Sequence, residues 1–150
     1  MRRIVRYCLN RYTLDWHDEF DYEGRPDPEK WDFAVGNHQW HNNELQAYTD
    51  RPENAFVSGG RLHIVALKKQ DGEREYTSAR MVTCGKREFT KGLFEIRCKL
   101  PKGQGSWPFD EPHFLICNIA VGGTMGGQVD DSTLPYEMEV AHIRYYKPKN

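Results

Sequence analysis

Apolar side chains along this chain recur at every second position far more than at every third or fourth, which predicts strands rather than helices. Leu62, Ile64 and Ala66 alternate with His63, Val65 and Leu67 in a run that is apolar on both sets, so that strand is expected to be buried on both faces. Phe94, Ile96, Cys98 and Leu100 alternate with Glu95, Arg97 and Lys99, which predicts one buried face and one wet face. Turn chemistry punctuates these runs at Arg25-Pro26-Asp27-Pro28, Ser58-Gly59-Gly60, Gln70-Asp71-Gly72, Pro101-Lys102-Gly103 and Gly122-Gly123. Short strands with regular punctuation predict an all-β, antiparallel sandwich.

A chain of 150 residues suffices for one small core but not comfortably for two. The formal net charge is −1, with neither a basic stripe nor an acidic tail, so neither nucleic acid nor an anionic membrane is expected as a partner. An uncharged polymer would suit such a surface. The start Met1-Arg2-Arg3-Ile4-Val5-Arg6-Tyr7-Cys8-Leu9 carries positive charge, but Arg6 and Asn10 interrupt any apolar stretch of useful length. No cleavable signal peptide and no membrane-spanning helix are expected, and the sequence does not determine a compartment.

Cys8, Cys84, Cys98 and Cys117 show neither the close pairing of zinc sites nor the density of a disulfide scaffold, so buried free thiols are expected. His38-Gln39-Trp40-His41 brings two histidines close in sequence without a third ligand, and no metal site is expected there.

Several motifs occur in a fixed order. They are Trp16-His17-Asp18-Glu19-Phe20-Asp21, Asn42-Asn43-Glu44-Leu45-Gln46-Ala47-Tyr48, Ser78-Ala79-Arg80, Gly92-Leu93-Phe94-Glu95-Ile96-Arg97 and Gly103-Gln104-Gly105-Ser106-Trp107-Pro108. Two more follow: Phe114-Leu115-Ile116-Cys117-Asn118-Ile119-Ala120-Val121-Gly122-Gly123 and Val140-Ala141-His142-Ile143-Arg144-Tyr145-Tyr146. Together they resemble glycoside hydrolase family 16, the laminarinase and lichenase family of endo-β-glucanases. The resemblance covers nearly the whole chain. It implies a jelly roll of two curved sheets with a glycan groove on the concave face, a β-glucan as partner and no cofactor.

One part of the family pattern is missing. In the family the W-P-A run leads to a further tryptophan, then to the signature E-[IL]-D-[IL]-x-E that carries the catalytic carboxylates, then to a block of strands. Here Pro108 passes directly to Phe109-Asp110-Glu111-Pro112. Since such single-domain sandwiches run to roughly 200 to 250 residues, on the order of 100 residues are absent from an apparent deletion junction near 108–109. The chain is then one truncated domain, 1–150. Its exposed sheet edges are expected to invite self-association.

Glu19-Phe20-Asp21-Tyr22-Glu23 spells a compact E-x-D-x-E, whose carboxylates would share a face in an extended strand. A retaining glycosidase needs two carboxyls about 5 to 5.5 Å apart, so Glu19 and Glu23 are the available catalytic candidates. Their position argues against that role, because Trp16 and Phe20 align the segment with the first family motif. Glu95 is expected on an exposed ion-pair face and Glu44 in a structural hydrogen bond. By resemblance, Asn43, Arg80 and Trp107 line the glycan groove, each with a plainer structural alternative: a turn residue, a surface ion pair and a core tryptophan. The resemblance also places a structural calcium in several members, but the aspartate it would use is Ala141 here, and no bound metal is expected.

The functional expectation is a chain of β-1,3 or mixed-linkage glucanase ancestry that binds β-glucan at most and does not hydrolyse it. Two alternatives stand beside it: an active retaining endo-β-1,3-glucanase, and a fragment or shortened scaffold without independent function.

Overall fold

The computed structural model describes residues 11–38, 40–99 and 114–149. Ten strands account for nearly all its regular structure: β1 (Tyr12–Asp18), β2 (Asp32–Phe33), β3 (Gln46–Tyr48), β4 (Ala55–Ser58), β5 (Arg61–Ala66), β6 (Tyr76–Ser78), β7 (Arg80–Val82), β8 (Leu93–Lys99), β9 (Ile116–Asn118) and β10 (Tyr136–Pro148). One four-residue helix, α1 (Gly123–Gly126), and two 3-10 turns complete it. The expected all-β antiparallel sandwich is the architecture observed.

The larger sheet runs β1-β10-β5-β4, with β8 on the other side of β10. The long β10 therefore organises it, pairing β5 through its first half, β1 through its second, and β8 along its opposite edge. The facing layer holds a three-stranded sheet, β2-β7-β9, and a two-stranded pair, β3-β6. That pair is parallel and so departs from the antiparallel rule of the rest. Phe20, Trp31, Val57, Leu62, Ile64, Met81, Val121 and Ile143 fill the space between the layers.

Local chemistry explains the connections. Gly59 and Gly60, at φ 57° and 71°, form the two-residue turn that pairs Ser58 with Arg61, since a hairpin turn of this hand needs positive φ at both positions. As the alternation predicts, β5 is buried on both faces: Leu62, Ile64 and Ala66 are inaccessible, Val65 is nearly so, and His63 stacks on Phe56.

Below the core, Asp18 ends β1 as a buried carboxylate. It accepts from Trp31 Nε1 at 2.9 Å, Phe20 N at 3.2 Å and Tyr22 Oη at 3.3 Å, with Lys30 Nζ at 3.5 Å. A buried carboxylate is tolerable only with such a set of donors, and here the donors are the side chains and backbone that must enter the core.

Three expectations need correction. The face of β8 that carries Phe94, Ile96 and Cys98 is not buried; Ile96 is 47% exposed and Phe94 38%. Its alternation is that of an inward face, but among the described residues β9 is the last strand of the layer opposite and leaves that face largely uncovered. The thiols are correspondingly less buried than expected. Cys84 and Cys98 are exposed, while Cys117 is partly buried and desolvation pushes its thiol up to about 12. Lastly, Glu19, Asp21 and Glu23 do not share a strand face. β1 stops at Asp18 and Phe20 takes a left-handed φ of 50°, which destroys the alternation. Leu100, Cys8 and the 108–109 junction lie outside the described residues.

The Asp18 arrangement predicts that Asp18→Ala lowers unfolding free energy by about 3 kcal/mol, because several buried donors lose a charged acceptor. Asp18→Asn should cost less, and Asp21→Ala, at an exposed position, should stay within about 0.5 kcal/mol. Urea unfolding with a constant m-value measures all three.

Candidate functional site

Arg80 sits on β7, the central strand of the smaller sheet, directly opposite Asn118 of β9. Its guanidinium lies 5.3 Å from the centroid of the Trp40 ring and 5.9 Å from that of Tyr48. The two rings meet edge to face at 5.1 Å. Such stacking holds a cation through the ring quadrupole and fixes the planar fork in one orientation.

The Tyr48 hydroxyl lies at the centre of a polar chain. It accepts from Asn118 Nδ2 at 2.7 Å and donates to Glu44 Oε2 at 3.3 Å, and the same carboxylate oxygen accepts from Gln46 Nε2 at 2.9 Å. Burial first, and the Glu44 charge second, raise the Tyr48 hydroxyl above its ordinary pKa, so it stays a neutral donor. The other end of Gln46 accepts from Val121 N at 2.7 Å, and Leu45 N bonds the Val121 carbonyl at 3.0 Å. The segment before β3 is thereby locked onto the segment after β9.

Asn42 and Asn43 make the turn into this segment at φ 61° and 56°, a conformation asparagine tolerates better than most residues. Asn43 Nδ2 donates to Thr124 Oγ1 at 3.1 Å. Gly123, at φ 76°, packs so close that a Cβ there would fall 2.4 Å from the Asn42 carbonyl oxygen, so the approach requires glycine.

Of the residues expected to line a groove, the structure brings Arg80 into contact with Trp40 and Tyr48. Asn43 occupies the turn immediately before Glu44, and Trp107 lies outside the described residues. Reading the sequence alone did not single out Tyr48 and Asn118, although both stand inside the quoted motifs. Glu44 accepts structural hydrogen bonds, as its polar surroundings suggested.

The remaining carboxylates are engaged elsewhere. Glu19 receives Arg144 through Nε and Nη2, each at 2.7 Å, and this bidentate pairing holds its carboxyl down to about 2. Glu95, far from an idle surface charge, takes Arg144 Nη1 at 3.2 Å and Tyr146 Oη at 3.0 Å. Glu23 accepts from Gly59 N at 2.9 Å on the hairpin turn. Glu19 and Glu23 are thus held by different elements. Among the described residues, no group of three histidines, cysteines or acids is placed to hold a metal ion.

The cluster at Arg80 offers fixed donors, one shared carboxylate and aromatic faces. Those groups suit recognition of a neutral hydroxylated ligand, whose ring carbons lie on apolar surfaces while its hydroxyls take directed hydrogen bonds. A proton-transfer pair is a different requirement, and the cluster does not hold one.

No protein-family profile matches the chain. A curated beta-glucanase of Rhodothermus marinus is 59% identical over 98 residues, which are 65% of this chain and 34% of that protein. The chain thus spans about a third of that relative's length. Among solved structures, a laminarinase from Rhodothermus marinus superposes with a TM-score of 0.85 at 32% identity, covering 93% of this chain and 98% of the other. The LamA protein of Zobellia galactanivorans, in complex with laminaritriose and laminaritetraose, superposes with a TM-score of 0.79 at 27% identity, covering 91% and 100%.

The Glu19 pairing predicts an acid limb of stability. Its carboxyl is depressed on folding, so the stabilisation is complete above the ordinary value of 4.5 and is lost as pH falls toward about 2. Glu19→Gln should lower the urea midpoint at neutral pH and flatten its decline across that window.

Proposed function

Because the chain belongs to glycoside hydrolase family 16, we propose that it binds β-1,3-linked glucan at the Arg80 cluster and does not hydrolyse it. The observation that carries the reading is the rigid array of Trp40, Glu44, Tyr48, Arg80 and Asn118, with Asn43 at its border, on a sheet of a fold whose relatives are named for glucanase activity. Arg80 and the two asparagines supply hydrogen bonds to sugar hydroxyls. Trp40, and Trp107 by the family resemblance, supply flat faces for the ring carbons.

Hydrolysis with retention needs a nucleophile and a general acid about 5 to 5.5 Å apart on opposite sides of the scissile bond. The chain has no E-[IL]-D-[IL]-x-E segment. Its other candidate acids are committed, Glu19 and Glu95 to Arg144, Glu44 to Tyr48 and Gln46. Binding by hydrogen bonds and stacking survives without that pair, whereas bond cleavage does not.

An internal deletion near 108–109 accounts for the loss. In chain order the junction falls between β8 and β9, and these are outer strands of the two layers. A block of strands inserted there would continue both layers at once. On this reading residues 1–150 are one shortened family 16 domain.

Purified protein incubated with laminarin should release reducing ends only at the rate of a protein-free control. Calorimetric titration with laminarin oligosaccharides should detect binding that Arg80→Ala weakens about ten-fold, the loss of roughly one hydrogen bond to a charged group. Turnover above background, or affinity unmoved by Arg80→Ala, overturns the reading.

A further inference from the structure

β8 ends its sheet with an unpaired edge among the described residues. Its one neighbour is β10, which it meets from Leu93 opposite Tyr146 to Lys99 opposite Glu139. The strand is seven residues long and carries exposed apolar side chains, a combination that offers a template for another strand. Beside it, Ile96 and Cys98 border an apolar hollow of about 220 Å³ that reaches Leu115, Ile116, Met138 and Val140.

The sequence of this edge is complementary to itself. When two copies run antiparallel about a two-fold axis at Ile96, Glu95 of each faces Arg97 of the other, Phe94 faces Cys98, Leu93 faces Lys99, and Ile96 faces Ile96. Both charge pairs are attractive, and the apolar residues share the inner face. Moving the axis to Glu95 sets two glutamates against each other, and moving it to Arg97 sets two arginines against each other. Only the axis at Ile96 gives two attractive Glu95 to Arg97 pairs with no like-charge contact, so the charges favour that register.

The groups are also available. Arg97 is exposed and, among the described residues, makes no ion pair or hydrogen bond. Glu95 gives Oε2 to Arg144 and Tyr146 while its Oε1 stands 3.8 Å from His142 Nε2, and a carboxylate has acceptor sites to spare for a guanidinium. Phe94 of the second copy would lie over Cys98 at the mouth of the apolar hollow. Lys99, which guards many edges by repulsion, here bonds Glu139 on its own chain and meets only Leu93 across the axis.

We propose that this chain forms a two-fold symmetric dimer in which β8 pairs antiparallel with β8 of a second copy, centred on Ile96 and held in register by reciprocal Glu95 to Arg97 ion pairs. The partner is a second copy of this chain rather than an unrelated protein, because the charge pattern that fixes the register lies in the strand itself. The contact is isologous and so closes at two copies.

Sedimentation velocity over a dilution series tests it. The wild-type chain should move from dimer to monomer on dilution, with the transition displaced by added salt. Arg97→Glu, at a side chain without partners among the described residues, should leave the thermal melt unchanged and raise the dimer dissociation constant about ten-fold by placing like charges opposite each other twice. In a background with Cys8, Cys84 and Cys98 replaced by serine, Ile96→Cys should give a disulfide-linked dimer on exposure to oxidised glutathione, since opposed Cα atoms about 4.5 to 5.5 Å apart suit a disulfide, while the background alone gives none. The proposal is overturned by a wild type that stays monomeric, by a dimer indifferent to Arg97→Glu, by open-ended assembly, or by a dimer that Ile96→Cys does not link.

Discussion

The constraint on which the rest depends is that, among the described residues, the two layers of this sandwich end together, at β8 in one and β9 in the other. A core between sheets is closed only where both continue. At β5 both do, and Leu62 and Ile64 are wholly buried. At β8 neither does, and Ile96, which faces the same interior, is half open to solvent. The apolar hollow beside Ile96 and Cys98 is the visible end of the core.

The Arg80 cluster is supported by strands that keep their neighbours: β7 lies between β2 and β9, and Gln46 ties the segment before β3 to Val121. Its side chains hold one another through Tyr48 and Asn118, so the array is fixed before any ligand arrives. Preorganised donors of this kind lower the ordering cost of holding a ligand. Asn118 takes part in both regions, bonding Tyr48 on one side and lining the apolar hollow on the other.

Much of this was legible in the sequence, and the failures have definite causes. The two-faced burial of β5 and the Ser58-Gly59-Gly60 turn followed from local pattern, because each rests on alternation or positive-φ chemistry. The exposure of Phe94, Ile96 and Cys98 did not follow, since alternation reports which way a side chain points and not whether a layer covers it. The pairing of Tyr48 with Asn118 spans seventy positions and has no local signature. Glu95 does lie on an ion-pair face, as expected, but its partners, Arg144 and Tyr146, come from β10 across the sheet and not from Arg97 and Lys99 beside it in sequence. The apparent strand at Glu19 to Glu23 failed for a local reason: the left-handed Phe20 turns its ring into the core above Trp31.

Stability must accordingly be unequal across the fold. Around Asp18, a buried carboxylate gathers Trp31, Tyr22 and the Phe20 amide, and the Trp16, Trp31 and Phe20 rings pack in sequence against that floor. Those contacts, with β4, β5 and β7, form a core that owes nothing to the open edge. Toward β8 the cover thins to Phe89 and Tyr145, which meet Phe94 at about 5 Å, and beyond Phe94 the described residues leave Ile96 and Cys98 at the rim of the apolar hollow. Local opening needs least free energy where few buried apolar contacts oppose it. The strand at the edge is thus the first to separate from β10 in the isolated chain, although the clamp of Glu19 and Glu95 on Arg144 fastens β8 and the end of β1 to β10 from the outer face. That clamp holds β8 from the outer face where, among the described residues, its inner face has little cover.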